Sequence, residues 1–328
     1  MDLSPPTTSF PSVPNLKDVV TNGLGDKALL LSSSLSAQLA TRAPSSDCWT
    51  DLQQLGSAPF THAAWGPSDF ASCFAAANSE WKLQIWRLHN DFHDDRVQLA
   101  AEFTLESPAL ALAFAPTVHG LTCVAACQDG CLRVISSRLP LTAEDWQLES
   151  SFRLQEGAVP TSVCWRPSSN HICKPPLMLL IGSASQAEVW SFSASSGAWQ
   201  QVAVLEGEAA SDMDEESEMT AVAWAPQLAR PCEWLLTSAG KRACVWKLQG
   251  TGSRIKASMW ATLPHSEEVH VASFDLLGKV VATSGIGWTY LWRPNFVGQW
   301  QCVRRITANG DLSDDNARED DGSPSDMN

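Results

Sequence analysis

Apolar and polar positions recur in register along the chain. An apolar run ends in an aromatic residue, then one residue, then proline, at four places. These are Ala63-Ala64-Trp65-Gly66-Pro67, Leu112-Ala113-Phe114-Ala115-Pro116, Val163-Cys164-Trp165-Arg166-Pro167 and Val222-Ala223-Trp224-Ala225-Pro226. Val271-Ala272-Ser273-Phe274-Asp275 repeats the pattern without the proline. The five aromatics are spaced by 49, 51, 59 and 50 residues. After each comes a small-residue apolar run: Cys73 to Ala77, Leu121 to Cys127, Leu177 to Ala184, Trp234 to Ala239 and Val280 to Ser284. A turn follows, then a strand ending in Ile85-Trp86, Val134-Ile135, Val189-Trp190, Val245-Trp246 or Leu291-Trp292. A further strand, often opened by tryptophan (Trp146, Trp199, Trp260, Trp300), closes most units. Short apolar runs bounded by turns read as strands buried on both faces. Proline has no backbone N–H, so its place two residues after the aromatic marks the end of a strand, where no ladder donor is needed.

Four short strands in a unit of about 50 residues are the signature of a β-propeller blade of the WD-repeat type. Five units begin near residues 59, 108, 159, 218 and 268. A weaker one precedes them, with strands at Asp18-Val19-Val20, Ala28 to Leu31, Ala37 to Thr41 and Cys48 to Leu55. The fold class is therefore an all-β WD-repeat propeller with six blades. No strand pattern is read beyond Arg305, so each end of the chain completes its own blade. The junction between first and last blade is left open, and an open sheet edge invites a partner strand. The expected organisation is an N-terminal extension over 1–14, the propeller over 15–307 and a disordered acidic tail over 308–328.

Charge changes this picture only at the margins. The formal net charge of −14 is concentrated in two segments. Residues 206–218 hold seven acids and no Lys or Arg, and residues 308–328 hold seven acids and Arg318, which leaves the folded body near −1. Both segments are poor in large apolar residues and read as solvated appendages. Ser313, before Asp314-Asp315, and Ser323, before Pro324, are candidate phosphorylation sites there. A near-neutral body without a basic patch argues against direct nucleic-acid binding. No stretch of about 18 apolar residues suggests a transmembrane segment, and the first residues lack the pattern of a signal peptide.

Candidate chemistry is sparse. None of the ten cysteines forms a Cys-x-x-Cys pair, which excludes ribbon and redox readings. Cys123, Cys127 and Cys131 are four apart, but Gln128-Asp129-Gly130 reads as a turn between two strands. His89 and His93 have a ligand-like spacing within a run of Asn and Asp that reads as a polar connector. Gly182-Ser183-Ala184-Ser185 is not a nucleophile elbow, and neither Gly240-Lys241 nor Gly278-Lys279 has the upstream glycine of a phosphate loop. No catalytic residue, metal or cofactor is expected; the rival non-enzyme class is a closed WD-repeat adaptor that reads peptides.

Several stretches resemble the Seh nucleoporin family, sister to the Sec-thirteen coat proteins, over about residues 15–305. They are Phe114-Ala115-Pro116 with Gly120-Leu121, then Cys127-Gln128-Asp129-Gly130-Cys131-Leu132-Arg133-Val134 and Leu139-Pro140-Leu141-Thr142-Ala143-Glu144-Asp145-Trp146-Gln147-Leu148. Ala223-Trp224-Ala225-Pro226-Gln227-Leu228-Ala229-Arg230-Pro231 and Leu291-Trp292-Arg293-Pro294-Asn295-Phe296-Val297-Gly298-Gln299-Trp300 complete the set. The flavour is similar to plant and green-algal members. The resemblance implies an open six-bladed propeller, completed in trans by a blade from a helical scaffold nucleoporin. It implies a place in the Y-shaped outer-ring complex of the nuclear pore at the nuclear envelope, in support of nucleocytoplasmic and mRNA transport. It also implies a second role in a GATOR/SEA-type nutrient-signalling complex at the lysosomal or vacuolar surface. A Sec-thirteen-like coat subunit is the alternative within the family. The chain departs from the pattern in its weak first blade and at Gly285-Ile286-Gly287-Trp288, where an acidic residue is usual. The candidate partner-binding residues are Val19 and Val20 on the first blade and Val269, Val271, Thr289 and Leu291 on the last.

Overall fold

The aromatic-x-proline anchor ends a strand by hydrogen bonding. In a computed structural model of the chain, the residue after each anchor aromatic donates one last rung to the neighbouring strand. The pairs are Gly66 to Cys73, Ala115 to Thr122, Arg166 to Met178, Ala225 to Trp234 and Asp275 to Val280. In four of the five cases the next residue is proline, which cannot donate, and the ladder stops. The structure describes residues 13–33, 37–42, 49–56, 58–70, 72–91, 94–168, 175–184, 186–205, 218–226, 230–250, 254–307 and 312–313.

Six antiparallel sheets follow one another along the chain, each paired in sequence order. The first blade is β1 (Leu16–Thr21), β2 (Lys27–Ser32), β3 (Gln38–Arg42) and β4 (Trp49–Gln54). The second is β5 (Phe60–Trp65), β6 (Cys73–Asn78), β7 (Lys82–Asp91) and β8 (Asp94–Thr104). The third is β9 (Ala109–Phe114), β10 (Thr122–Cys127), β11 (Cys131–Leu139) and β12 (Glu144–Arg153). The fourth is β13 (Pro160–Trp165), β14 (Met178–Ser183), β15 (Ala187–Ser193) and β16 (Ala198–Leu205). The fifth is β17 (Met219–Trp224), β18 (Glu233–Ala239), β19 (Arg242–Gln249) and β20 (Lys256–Pro264). The sixth is β21 (Val271–Phe274), β22 (Val281–Gly285), β23 (Trp288–Pro294) and β24 (Trp300–Thr307), extended by β25 (Leu312–Ser313). No α-helix occurs among the described residues. These are the six blades of a β-propeller.

Two compact units divide the chain: residues 1–184 with 190–200, and residues 185–189 with 201–328. In the first unit, side-chain alternation sends each second strand into two cores. On β6, Phe74 and Ala76 join Leu29, Leu31 and Phe60 of the first two blades, while Ala75 and Ala77 join Cys123, Ala125 and Cys127 of the third. On β10, Val124 and Ala126 turn the other way, toward Trp165, Leu179 and Ile181. All six residues of β2, β6, β10 and β14 are buried. Small side chains let neighbouring sheets approach closely. In the second unit, Leu236, Ala243 and Val245 of the fifth blade pack against Ala272, Val281, Tyr290 and Trp292 of the sixth.

The anchor tryptophans also tie blades together. Trp65 Nε1 donates to the Val20 carbonyl at 2.8 Å, and Trp165 Nε1 donates to the Ala113 carbonyl at 3.0 Å. Each acceptor is the penultimate residue of the preceding blade's first strand. Trp165→Phe removes this bond and shrinks a buried side chain, while the Ala113 carbonyl keeps its ladder place opposite Val124. Chemical denaturation is expected to show a loss of about 1–3 kcal/mol; an unchanged midpoint would show that the bond contributes nothing.

Three readings of the sequence are corrected. His89 is on a strand and not in a connector, because β7 and β8 pair as far as Asp91 opposite Asp94; there His89 Nε2 accepts from Arg87 Nε at 2.9 Å. Strand structure also continues past Arg305, since β24 runs to Thr307 and β25 pairs Leu312 with Ile306 and Ser313 with Arg305. Val269, read as a partner-facing residue of the last blade, precedes its first strand, since β21 opens at Val271. His93, the segment 206–217 and Ser323 lie outside the described residues. Cys123, Cys127 and Cys131 lie on two strands joined by a turn. The described cysteines are free thiols, and burial pushes Cys73 up to about 12.

Candidate partner-binding face

The last blade buries one face more fully than the other, and its second strand shows the difference. Where β2, β6, β10 and β14 are buried at every position, β22 alternates between buried and half-buried. Ala272, Val281, Thr283, Tyr290 and Trp292 are buried on one side. The register places Val271, Ser284, Thr289 and Ile306 in one cross-strand row of the opposite side, and Ser273, Ala282, Leu291 and Arg304 in the next. Val271 is 59% exposed, Ser273 and Arg304 are exposed, and the others are half-buried. Ser284 and Thr289 satisfy each other through their hydroxyls at 2.9 Å. What remains is a surface of small and branched side chains with one exposed cation, Arg304, on β24. Such a face suits the inner side of another sheet, packed about 10 Å away.

The six residues singled out from sequence divide by parity. Val271, Thr289 and Leu291 share the less buried face. Val269 does not: it is fully buried in the core between the last two blades, its N–H bonded to Gly240 and its carbonyl to Thr220 Oγ1. Val19 and Val20 are neighbours on β1, so they point to opposite sides. Val20 packs into the core shared with the second blade. Val19 borders Ala28, Leu30, Ala40 and Trp49, which are already buried. Val19 is half-buried on the first blade, and three of the six candidates share one face of the last. Ser273, Ala282 and Ile306 belong to it and were missed; stepping two residues from Val271 along the strand would have found Ser273.

Behind this face the core is held by polar bonds. Trp292 Nε1 donates to Thr283 Oγ1 at 2.9 Å, and Thr283 Oγ1 bonds His265 Nε2 at 2.8 Å. The fifth blade repeats the first bond, from Trp246 Nε1 to Thr237 Oγ1 at 2.9 Å. Burial pushes the His265 pKa below the ordinary value of 6.5, against the pull of the Leu263 and Lys241 carbonyls. His62 is lowered likewise, first by burial and then by Lys17. A folded pKa below the unfolded one means that the unfolded chain binds the proton more readily. Stability is therefore complete above pH 6.5 and is lost as pH falls through the histidine range, before carboxylates titrate near ~4. Thermal unfolding is expected to show this decline as pH falls below about 6.5, flattened in a His62→Gln/His265→Gln double variant; an unaltered slope would exclude these two rings as its source.

Among the described residues no group of three or more His, Cys, Asp or Glu could hold a metal ion, and no helix is long and apolar enough to cross a membrane. The sheets define the class, a WD-repeat-type β-propeller. Within that class the chain is similar to Seh nucleoporins along most of its length. No family model matches it. Protein SEH1 of Arabidopsis thaliana is 26% identical over 304 residues, covering 85% of this chain and 91% of that protein. Human Nucleoporin SEH1 is 20% identical over 337 residues, covering 94% and 90%. Protein transport protein SEC13 of Cryptococcus neoformans is 22% identical over 272 residues, covering 73% and 78%. Among solved structures, a protein from Lactobacillus plantarum aligns with a TM-score of 0.68 at 9% identity, over 90% of this chain and 86% of the other. A chain from the mitotic checkpoint complex aligns at 0.56 with 14% identity, over 81% and 70%. At these identities the structural likeness concerns the fold alone.

Proposed function

We propose that the protein is a non-catalytic scaffold subunit of the nuclear pore outer ring, and that a partner adds a blade to the less buried face of its last sheet. The observation that carries this reading is the one-sided burial of β22, beside the full burial of the second strands in the first four blades. Similarity to nucleoporins over most of the chain supports the setting. The partner expected is a helical scaffold nucleoporin that supplies strands in trans, and the other Y-complex subunits would accompany it at the nuclear envelope. Val271, Thr289 and Leu291 are the contact residues this reading keeps. Backbone pairing along a strand edge gives affinity, and apolar packing against the face makes the association lasting. A second assignment to a nutrient-signalling complex at the lysosomal or vacuolar surface rests on the family resemblance alone.

Affinity purification of the tagged chain from its own cells, with mass spectrometry of stoichiometric partners, tests the assignment. Recovery of a helical nucleoporin with other ring subunits is the expected result. Recovery of vesicle-coat subunits instead would move the protein to the Sec-thirteen branch, and a chain recovered alone would overturn the trans-blade reading.

A further inference from the structure

The two turns at one end of the last blade are built alike and expose their apolar residues. In an antiparallel meander, the connection from β21 to β22 and that from β23 to β24 lie at the same end, about two strand spacings or ~10 Å apart. The first is Asp275-Leu276-Leu277-Gly278 and the second Asn295-Phe296-Val297-Gly298. Asp275 Oδ1 accepts from the backbone N–H of Lys279 at 2.6 Å and of Val280 at 2.9 Å. Asn295 Oδ1 accepts from Val297 at 3.0 Å and Gln299 at 2.9 Å. Gly278 and Gly298 both take positive φ. These bonds hold the tips in place, yet Leu276 is 92% and Phe296 111% exposed, with Val297 at 84%. Scattered exposed apolar residues need no account, but two pre-ordered pairs at one end of one sheet form a patch.

Half-buried aromatics and cations adjoin the patch. Trp260 lies 4.8 Å from Trp234 and 5.5 Å from Trp300 between ring centroids. Arg230 sits over Trp234 at 3.9 Å and Lys247 over Trp260 at 4.0 Å. Arg230 also donates to the Leu277 carbonyl at 2.7 Å, which ties it to the first turn. Topology brings Arg254, Lys256, Lys279 and Arg293 to the same end. The acids there are already engaged: Asp275 caps its own turn, and Glu233 accepts from Trp224. The balance is positive and apolar together.

We propose that this end of the last two blades is a docking surface for an acidic protein segment carrying large apolar side chains. Arg230 and Lys247 lie along indole faces, where a carboxylate can meet them, while the two turns present exposed apolar side chains about two strand spacings apart. The surface is distinct from the blade face invoked above, so either can fail without the other.

A random short-peptide library displayed on phage and panned on the full chain tests it. Selected sequences are expected to combine Asp or Glu with Leu or Phe. A synthetic peptide of the consensus should bind about tenfold more weakly to Leu276→Ser/Phe296→Ser, as for loss of central apolar anchors. Lys279→Glu/Arg293→Glu should weaken it about tenfold at low ionic strength and much less at high salt. All four positions are at turns or on the surface, and unchanged thermal unfolding checks that the variants fold. The proposal is overturned if no acidic-apolar consensus emerges, or if both double variants bind the peptide like the parent chain. It is equally overturned if phosphatidylserine-containing vesicles, and not peptides, show the dependence on these residues.

Discussion

Val271→Asp is expected to remove the stoichiometric partner from affinity-purified material, and Ala272→Asp is expected to unfold the last blade. The two residues are adjacent on β21 but face opposite ways. Val271 is 59% exposed, so a carboxylate there stays hydrated and should change stability by no more than about 1 kcal/mol. Once a partner sheet covers it, the same carboxylate would be buried without a counter-charge, at a cost of several kcal/mol. Ala272 is 5% exposed, among Val281, Tyr290 and Trp292. An aspartate there is desolvated in the free protein and should destabilise it by about 4 kcal/mol or more. Capture experiments with both variants, beside denaturation of each, separate a binding defect from a folding defect. Full partner recovery with Val271→Asp would show that this face is not the contact.

Thr283→Val is the second large effect expected. Valine matches threonine in shape, so packing is kept. Thr283 is fully buried, and its loss leaves Trp292 Nε1 and His265 Nε2 without their shared partner. Two buried groups left unsatisfied cost about 2–4 kcal/mol, whereas Thr283→Ser, which keeps the hydroxyl, should cost less than about 1.5. The second blade supplies the reverse experiment. Trp86 occupies on β7 the place that Trp292 has on β23: it pairs with Phe74 as Trp292 pairs with Val281. Two residues along, Ala76 stands where Thr283 stands, and Trp86 Nε1 is buried without a partner. Ala76→Ser should raise stability by up to about 1 kcal/mol. A loss from that change, or equal stability of Thr283→Val and the parent chain, would show that these hydroxyls do not act as acceptors for the indoles.

The blades were legible because their signal repeats. One Trp-x-Pro means little, but several at near-equal spacing fix the unit, its first strand and its end. The first blade was recovered without an anchor, from short apolar runs alone. The candidate face was legible only in part. Apolar composition identified Val20 and Val269 as readily as Val271, but side-chain direction decides what each can touch, and a one-residue offset reverses it. The anchor pattern placed β21 at Val271 to Phe274, but alternation alone could not show that Val269, two residues earlier, turns into the core. The Asp275 and Asn295 turns were present in the sequence as Asp-Leu-Leu-Gly and Asn-Phe-Val-Gly. Their likeness has meaning only once the strands place them at one end. His89 went astray because Asn and Asp are common in connectors, whereas here cross-strand pairing with β8 carries them.

The indole bonds from Trp65 to Val20 and from Trp165 to Ala113 point backward along the chain. During synthesis the acceptor carbonyl has left the ribosome about one blade before its donor. Each new sheet in this part of the molecule can therefore settle on one already formed, through contacts between neighbours in sequence. Such an order of growth keeps loop closures short and gives each exposed apolar face only a brief wait for its cover.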